Sequence, residues 1–281
     1  MTARPFHQVD VFTATPYRGN PVAVVLDGAG LETAQMQRFT DWTNLSEATF
    51  VLPPTHPEAD YRLRIFCPGQ ELPFAGHPTL GSCHAWLQAG GQPRGGEVVQ
   101  ECGVGLVRIR RDGSRLAFAA PPLQRSGPLA EDEVERIARG LGIARADIVA
   151  HAWCDNGPPW RGVMLRSAEQ ALALQPDGQA LAGLFTGVVA PRPAGDDCAF
   201  EVRAFFPGHG GMAEDPVTGS LNAALAQWLV GAGLAPDRYV ASQGTALGRA
   251  GRVHVARDAQ APGTIWIGGE STTCIRGEVA L

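Results

Sequence analysis

Glu47, His77 and Asp215 are the side chains whose types and settings could move a proton. Asn44-Leu45-Ser46-Glu47-Ala48-Thr49-Phe50-Val51-Leu52 sets one carboxylate directly before an apolar run. A glutamate at the mouth of a buried strand loses water, which raises its pKa toward the range useful for proton transfer near neutral pH. The same residue could instead cap a turn through its side chain. His77 lies in Gly76-His77-Pro78 and Asp215 in Glu214-Asp215-Pro216. Each precedes a proline and each could cap the helix that follows. Capping and chemistry are compatible, because a residue at a helix N-terminus faces whatever that terminus binds.

The elements that must position these groups occur twice. Arg64-Ile65-Phe66-Cys67-Pro68-Gly69 returns as Arg203-Ala204-Phe205-Phe206-Pro207-Gly208, and His77-Pro78-Thr79-Leu80-Gly81-Ser82 as Asp215-Pro216-Val217-Thr218-Gly219-Ser220. Each second block opens a helix with a Trp-Leu pair near its end, Trp86-Leu87 and Trp228-Leu229. Such order at nearly half the chain length reads as duplication of one strand, loop and helix module. In both copies the spacing places a Gly-Ser pair in the first turn of a helix, where free N–H groups and the dipole favour an anion. His77 and Asp215 then stand at matching positions, and the expected site is a small carboxylate held in a cleft between the halves. Shifting Glu47 by the repeat lands on Thr186, so one half alone carries the acid.

Short strand-like runs dominate: Val9–Phe12, Pro21–Leu26, Ala48–Leu52, Tyr61–Phe66, Leu106–Arg110, Arg115–Ala119, Ile148–Trp153, Gly162–Arg166, Phe200–Phe205, Arg252–Ala256 and Thr264–Gly268. Helical periodicity covers Glu32–Trp42, Thr79–Gln88, Glu131–Leu141, Glu169–Leu174 and Ser220–Val230. Many strands, few helices and no regular βαβ alternation predict an α+β fold. The turn-rich stretch from Pro121 to Pro128 marks the boundary between residues 1–120 and 121–269. Residues 270–281 alternate enough to form a strand that could return to the first half.

Composition narrows the chemistry. The 281 residues include no lysine, so all 23 basic residues are arginine. A chain without a lysine amine cannot form a Schiff base or complete a GxxxxGK[ST] phosphate loop. A net charge of −5 argues against a nucleic-acid partner. No apolar run reaches membrane-spanning length, and the N-terminus has no signal-peptide pattern. Six scattered cysteines without a CxxC pair suit a reduced, cytoplasmic protein.

Other candidates read more plainly. Glu71 and Glu214 are solvated or hydrogen-bonded loop residues, His209 belongs to a glycine loop, and Cys83 and His84 are packing residues. A metal site from His77, His209, Glu214 and Asp215 lacks any ligand spacing that supports it, so no metal is expected. The glycine-rich stretch 208–211 does not follow the dinucleotide fingerprint.

Together these segments resemble the phenazine-biosynthesis isomerase (PhzF-like) family. The resemblance is carried by Val9-Asp10-Val11-Phe12, Gly19-Asn20-Pro21-Val22, Leu45-Ser46-Glu47-Ala48-Thr49-Phe50, Gly76-His77-Pro78-Thr79-Leu80-Gly81, Glu214-Asp215-Pro216-Val217-Thr218-Gly219-Ser220 and Gly268-Gly269, and spans essentially the whole chain. It implies two pseudo-symmetric diaminopimelate-epimerase-like domains, each a barrel-like sheet around a central helix, in a homodimer that needs no cofactor. It implies that Glu47 carries a proton between carbons of a small carboxylic acid, with His77 and Asp215 assisting. Gly76, Gly219 and Ser220 would hold the carboxylate, and Asn20 and Ser46 would complete the substrate-binding set. Cys67 and Cys102 stand where the family often has threonine, which bears on substrate fit.

Two other readings remain: a two-thiol epimerase on the same fold, and a non-catalytic metabolite-binding protein. The repeat counts against the first, because Cys67, Cys83 and Cys102 fall opposite no cysteine in the second half.

Overall fold

The alternating residues from Ala3 to Val11 form β1 (Ala3–Val11), which buries Val9 and Val11. The computed structural model describes residues 2–208 and 210–281 and divides into two compact units, one running to Ala119 with Gly268–Leu281, the other Ala120–Ile267. After β1 the first unit contains β2 (Asn20–Val25), α1 (Thr33–Thr43), β3 (Ala48–Leu52), β4 (Tyr61–Cys67) and β5 (Gln70–Leu72). It continues with α2 (Gly76–Gln88), β6 (Val98–Cys102), β7 (Gly105–Asp112) and β8 (Arg115–Ala119). The second unit contains α3 (Glu131–Leu141), β9 (Ala150–Asp155), β10 (Pro159–Met164), α4 (Ala168–Leu172), β11 (Phe185–Pro191), β12 (Phe200–Gly208) and β13 (Gly211–Asp215). Then come α5 (Gly219–Gly231), β14 (Arg238–Gln243), β15 (Gly251–Arg257) and β16 (Ile265–Gly269). The chain re-enters the first unit at Gly268, within β16, and the last strand, β17 (Ser271–Ala280), pairs antiparallel with β1 from Ala3↔Ala280 to Val11↔Ser271. This is an α+β fold.

The same pairing scheme appears in both units. In the first, β1–β2 is antiparallel, β2–β3 parallel, β3–β4 antiparallel, β4–β5 a hairpin, β4–β6 parallel and β6–β7 antiparallel. In the second, β9–β10, β10–β11, β11–β12, β12–β13, β12–β14 and β14–β15 follow that order of senses. The helices repeat too, α1 and α4 before the third strand of each set, α2 and α5 after the hairpin. Both α2 and α5 have 13 residues.

The registers correct the sequence alignment in three places. Gly76 and Gly219 each open their helix, so Gly81 and Ser82 lie in the second turn of α2 and only Gly219-Ser220 lies in a first turn. Gly81 serves packing: a Cβ there would stand 2.4 Å from Val22 Cγ1 and 2.9 Å from Val11 Cγ2. Secondly, His77 and Asp215 do not match. His77 is the second residue of α2, where Ser220 stands in α5, whereas Asp215 ends β13. The N-caps are Ala75 and Thr218, because each helix begins beyond the residue expected to cap it or before it. Thirdly, Phe66 faces Ala48 and Phe205 faces Thr186, so Thr186 takes the place of Ala48 and Phe185 that of Glu47.

Helix α2 is buried from Gly76 to Cys83, its polar His77, Thr79 and Ser82 included. It packs on β1, β2, β3, β4, β6, β8 and β17, so the first unit's sheet curls around it. Behind β3, Phe39, Phe50 and Phe66 stack edge to face at 5.9 and 5.6 Å within a core that includes Ala23, Met36 and Ala48. In the second unit α5 packs on β9, β10 and β15, and α3 covers a second core with Ile137, Leu141, Trp153 and Val188. Among the described residues no helix is long and apolar enough to cross a membrane.

Candidate active site

Three elements of the first unit bring Asn20, Glu47 and His77 together. Asp10 accepts the backbone N–H groups of Arg18 and Gly19 at 2.8 and 3.0 Å, which closes the turn that delivers Asn20 to the start of β2. Helix α1 ends at Asn44 in the left-handed region (φ 55°), and the chain turns through Leu45 and the half-buried Ser46 into β3. Glu47 sits at the mouth of β3, its carbonyl accepting the Ala23 N–H at 3.4 Å. The third element is α2, entered through Gly76 and held by Pro78 in its first turn, where proline loses no helical hydrogen bond.

Glu47 Oε2 lies 3.2 Å from His77 Nε2, and Asn20 Nδ2 lies 3.3 Å from His77 Nδ1. With the Asn20 amide oriented this way, its N–H donates to Nδ1. His77 Nε2 is buried and makes no hydrogen bond among the described residues, so its approach to Glu47 is a close contact of the two side chains. Burial holds His77 neutral, its pKa pushed down to about 3 against an opposing contribution from the Pro21 carbonyl. The His77 side chain is 5% exposed and that of Glu47 16%, so the carboxylate is the member of the pair that reaches outward. Cys67 ends β4, one residue past the Ala48↔Phe66 pair, and is near enough to feel the Glu47 charge. Burial raises the Cys67 thiol pKa and the Glu47 charge raises it further, which keeps the sulfur protonated.

The second unit holds Asp215, Gly219 and Ser220 at the entry to α5. Thr218 Oγ1 donates to Asp215 Oδ2 at 2.5 Å. Gln243, fully buried on β14, ties this turn together: its Oε1 accepts Thr218 N–H at 3.0 Å and Asn222 Nδ2 at 2.7 Å. Its Nε2 donates to the Asp215 carbonyl at 3.1 Å and to Thr218 Oγ1 at 3.0 Å. Ser220 Oγ accepts the Trp160 indole N–H at 3.1 Å, and the Ser220 carbonyl accepts Asn156 Nδ2 at 2.9 Å. Nothing in residue spacing pointed to Gln243, Trp160 or Asn156; they matter through strand pairing alone.

Glu71 and Glu214 lie on β5 and β13, not in loops. Each accepts a two-pronged hydrogen bond from the arginine of its repeat: Arg64 to Glu71 at 2.7 and 2.5 Å, Arg203 to Glu214 at 2.9 and 2.8 Å. Glu214 thereby gives both oxygens to Arg203 and Asp215 accepts from Thr218. His209 falls outside the described residues. All six cysteines have pKa values raised chiefly by burial, those of Cys83 and Cys154 to about 12. Such thiols are poor bases at neutral pH.

The phenazine biosynthesis-like protein family matches residues 9–277. Antisense-enhancing sequence 1 of Schizosaccharomyces pombe is 37% identical over 300 residues, covering 99% of each chain. The trans-2,3-dihydro-3-hydroxyanthranilate isomerase of Pseudomonas fluorescens is 36% identical over 222 residues, 78% of this chain and 77% of that one. The crystal structure of a Bacillus anthracis PhzF-family protein aligns over all of both chains with a TM-score of 0.85 at 22% identity, a likeness of fold. With a family model matching residues 9–277 and relatives 36–37% identical over most of their length, the chain belongs to the phenazine biosynthesis-like (PhzF) family of isomerases.

Proposed function

We propose that this protein is a cofactor-independent isomerase that moves a proton between carbons of a small carboxylic acid, with Glu47 as the carrier. The observation that carries the reading is the Glu47–His77–Asn20 chain of contacts at the start of α2. A carboxylate takes a proton from an acidified C–H position and returns it to another carbon of the same skeleton. The charge developing on the substrate is met by hydrogen-bond donors already in place. His77 stays neutral throughout and stands 3.2 Å from Glu47, with Asn20 against its other ring nitrogen. Gly76 and the first turn of α2 supply N–H groups for the substrate. Asp215, Gly219 and Ser220 are assigned to the same reaction, Asp215 assisting proton transfer and the other two holding the carboxylate. Asn20 and Ser46 complete the pocket.

The relative in Pseudomonas fluorescens supplies the first compound to try, trans-2,3-dihydro-3-hydroxyanthranilate, beside a panel of small hydroxy and amino acids. Glu47→Gln is expected to lower turnover at least a thousandfold, in line with the loss of a principal acid/base. Its circular dichroism and ligand affinity should stay near wild type, since the amide fills the same volume. Turnover retained in Glu47→Gln would end the proposal.

A further inference from the structure

Ser220 and His77 are the second residues of α5 and α2, and each has side chains of its own unit set against it. In the first unit Asn20 and Glu47 lie against His77 at 3.3 and 3.2 Å. In the second, Phe185 stands where Glu47 stands, and Trp160 does the holding. Trp160 is 3% exposed and packs edge to face on Phe185, with centroids 5.3 Å apart and planes at 86°. That packing fixes the indole plane and aims Nε1–H at Ser220 Oγ from 3.1 Å.

An indole nitrogen can only donate. Ser220 Oγ is therefore the acceptor in this bond, and its own hydrogen must point elsewhere. Among the described residues no protein group accepts that hydrogen. The hydroxyl sits in the first turn of α5, half-buried, where helix N–H groups are also uncommitted.

We infer that Trp160 is a positioning residue: its indole N–H occupies the acceptor side of Ser220 Oγ and turns the hydroxyl into a fixed donor toward the substrate carboxylate. The inference rests on the reading of Ser220 as a carboxylate-holding residue and adds the group that makes it one. An unheld serine hydroxyl rotates among three staggered positions and must be ordered on binding. One pinned by an indole is ordered beforehand, so less entropy is lost.

Calorimetric titration of the full-length protein with anthranilate and with its neutral isostere anthranilamide tests this directly. Wild type is expected to bind the acid about tenfold better than the amide, as for one hydrogen bond to a charged group. Ser220→Ala is expected to weaken anthranilate about tenfold and Trp160→Phe about threefold, the latter being the cost of reordering a hydroxyl among three staggered positions, and each should leave anthranilamide within about twofold. The double variant should be no weaker than Ser220→Ala alone, because the two residues act through one bond. Trp160→His keeps a ring N–H and is expected to retain the preference for the acid; it carries the test if the phenylalanine variant does not fold. Unchanged anthranilate binding in Trp160→Phe, equal losses for acid and amide, or additive losses in the double variant would overturn the role of Trp160 and leave the Glu47 reading to its own test. A wild type with no preference for the acid would remove the carboxylate reading and this inference with it.

Discussion

His77 is neutral because the protein leaves it no room to be anything else, and this has a measurable consequence. An unfolded chain takes up the imidazole proton near 6.5, whereas the folded protein resists it until about 3. Stability is therefore complete above about pH 6.5 and is lost as pH falls toward 3, since the unfolded state binds the proton first. His84, held down to about 4 by burial and by the charges of His7 and Arg276, adds to the same acid limb. Urea melts between pH 7 and 4 should show stability falling with pH, and His77→Gln should remove about one proton from the slope. An unchanged slope would mean that the folded protein binds that proton as readily as the unfolded chain. The residue types of this site were legible from the sequence: a glutamate before an apolar strand, and a histidine between glycine and proline. The setting of His77 was not, since Asn20, which lies against its Nδ1, is 57 positions away.

The hairpins β4–β5 and β12–β13 lead into the two site helices, and each is pinned by an arginine–glutamate pair of different setting. Arg203 is 6% exposed at its side chain and also donates to the carbonyls of Ala171 and Leu174 at the end of α4; Arg64 and Glu71 are 18% and 38% exposed. Removing one partner of a buried pair leaves an uncompensated charge, so Arg203→Ala is expected to destabilise by about 3 kcal/mol. Arg64→Ala is expected to cost about 1 kcal/mol or less. Denaturant melts of the two variants compare them directly, and equal losses would mean that burial does not set the difference. Gly81→Ala should also destabilise, by about 1–3 kcal/mol, because the new methyl meets Val22 and Val11 across a tight helix–sheet contact. A neutral or stabilising effect in the same melts would show that α2 can shift away from the sheet. Elements with strong periodicity, such as β3, β8 and α3, were readable from the chain to the residue. Strand β5 escaped because it is three residues long, and β13 and β14 because Gly211-Met212-Ala213-Glu214-Asp215 and Arg238-Tyr239-Val240-Ala241-Ser242-Gln243 have no apolar alternation. The missed β14 carries Gln243, so the support of the Asp215 turn went unseen with it.

Duplication left two units with one pairing scheme and different chemistry at equivalent positions. One residue beyond the Ala48↔Phe66 pair stand Glu47 and Cys67, where the second unit has Phe185 and Phe206, and His77 is replaced by Ser220. The repeat was visible in the R-x-F-x-P-G blocks, but its register at the helices was not, because a proline and a glycine near each helix start suggested a match five residues out of step. Strand β17 closes the ladder of the first unit against β1. Removing residues 270–281 should strip hydrogen-exchange protection from β1 while β11 and β12 keep theirs; equal loss in both units would show that β17 supports the whole chain. The assignment of proton transfer to Glu47 is tested most directly by following substrate C–H positions by NMR in D2O. Wild type should place deuterium at the carbon that gains the proton, or carry the original hydrogen there, and Glu47→Gln should do neither. Exchange or transfer at the wild-type rate in Glu47→Gln would assign the proton to another group.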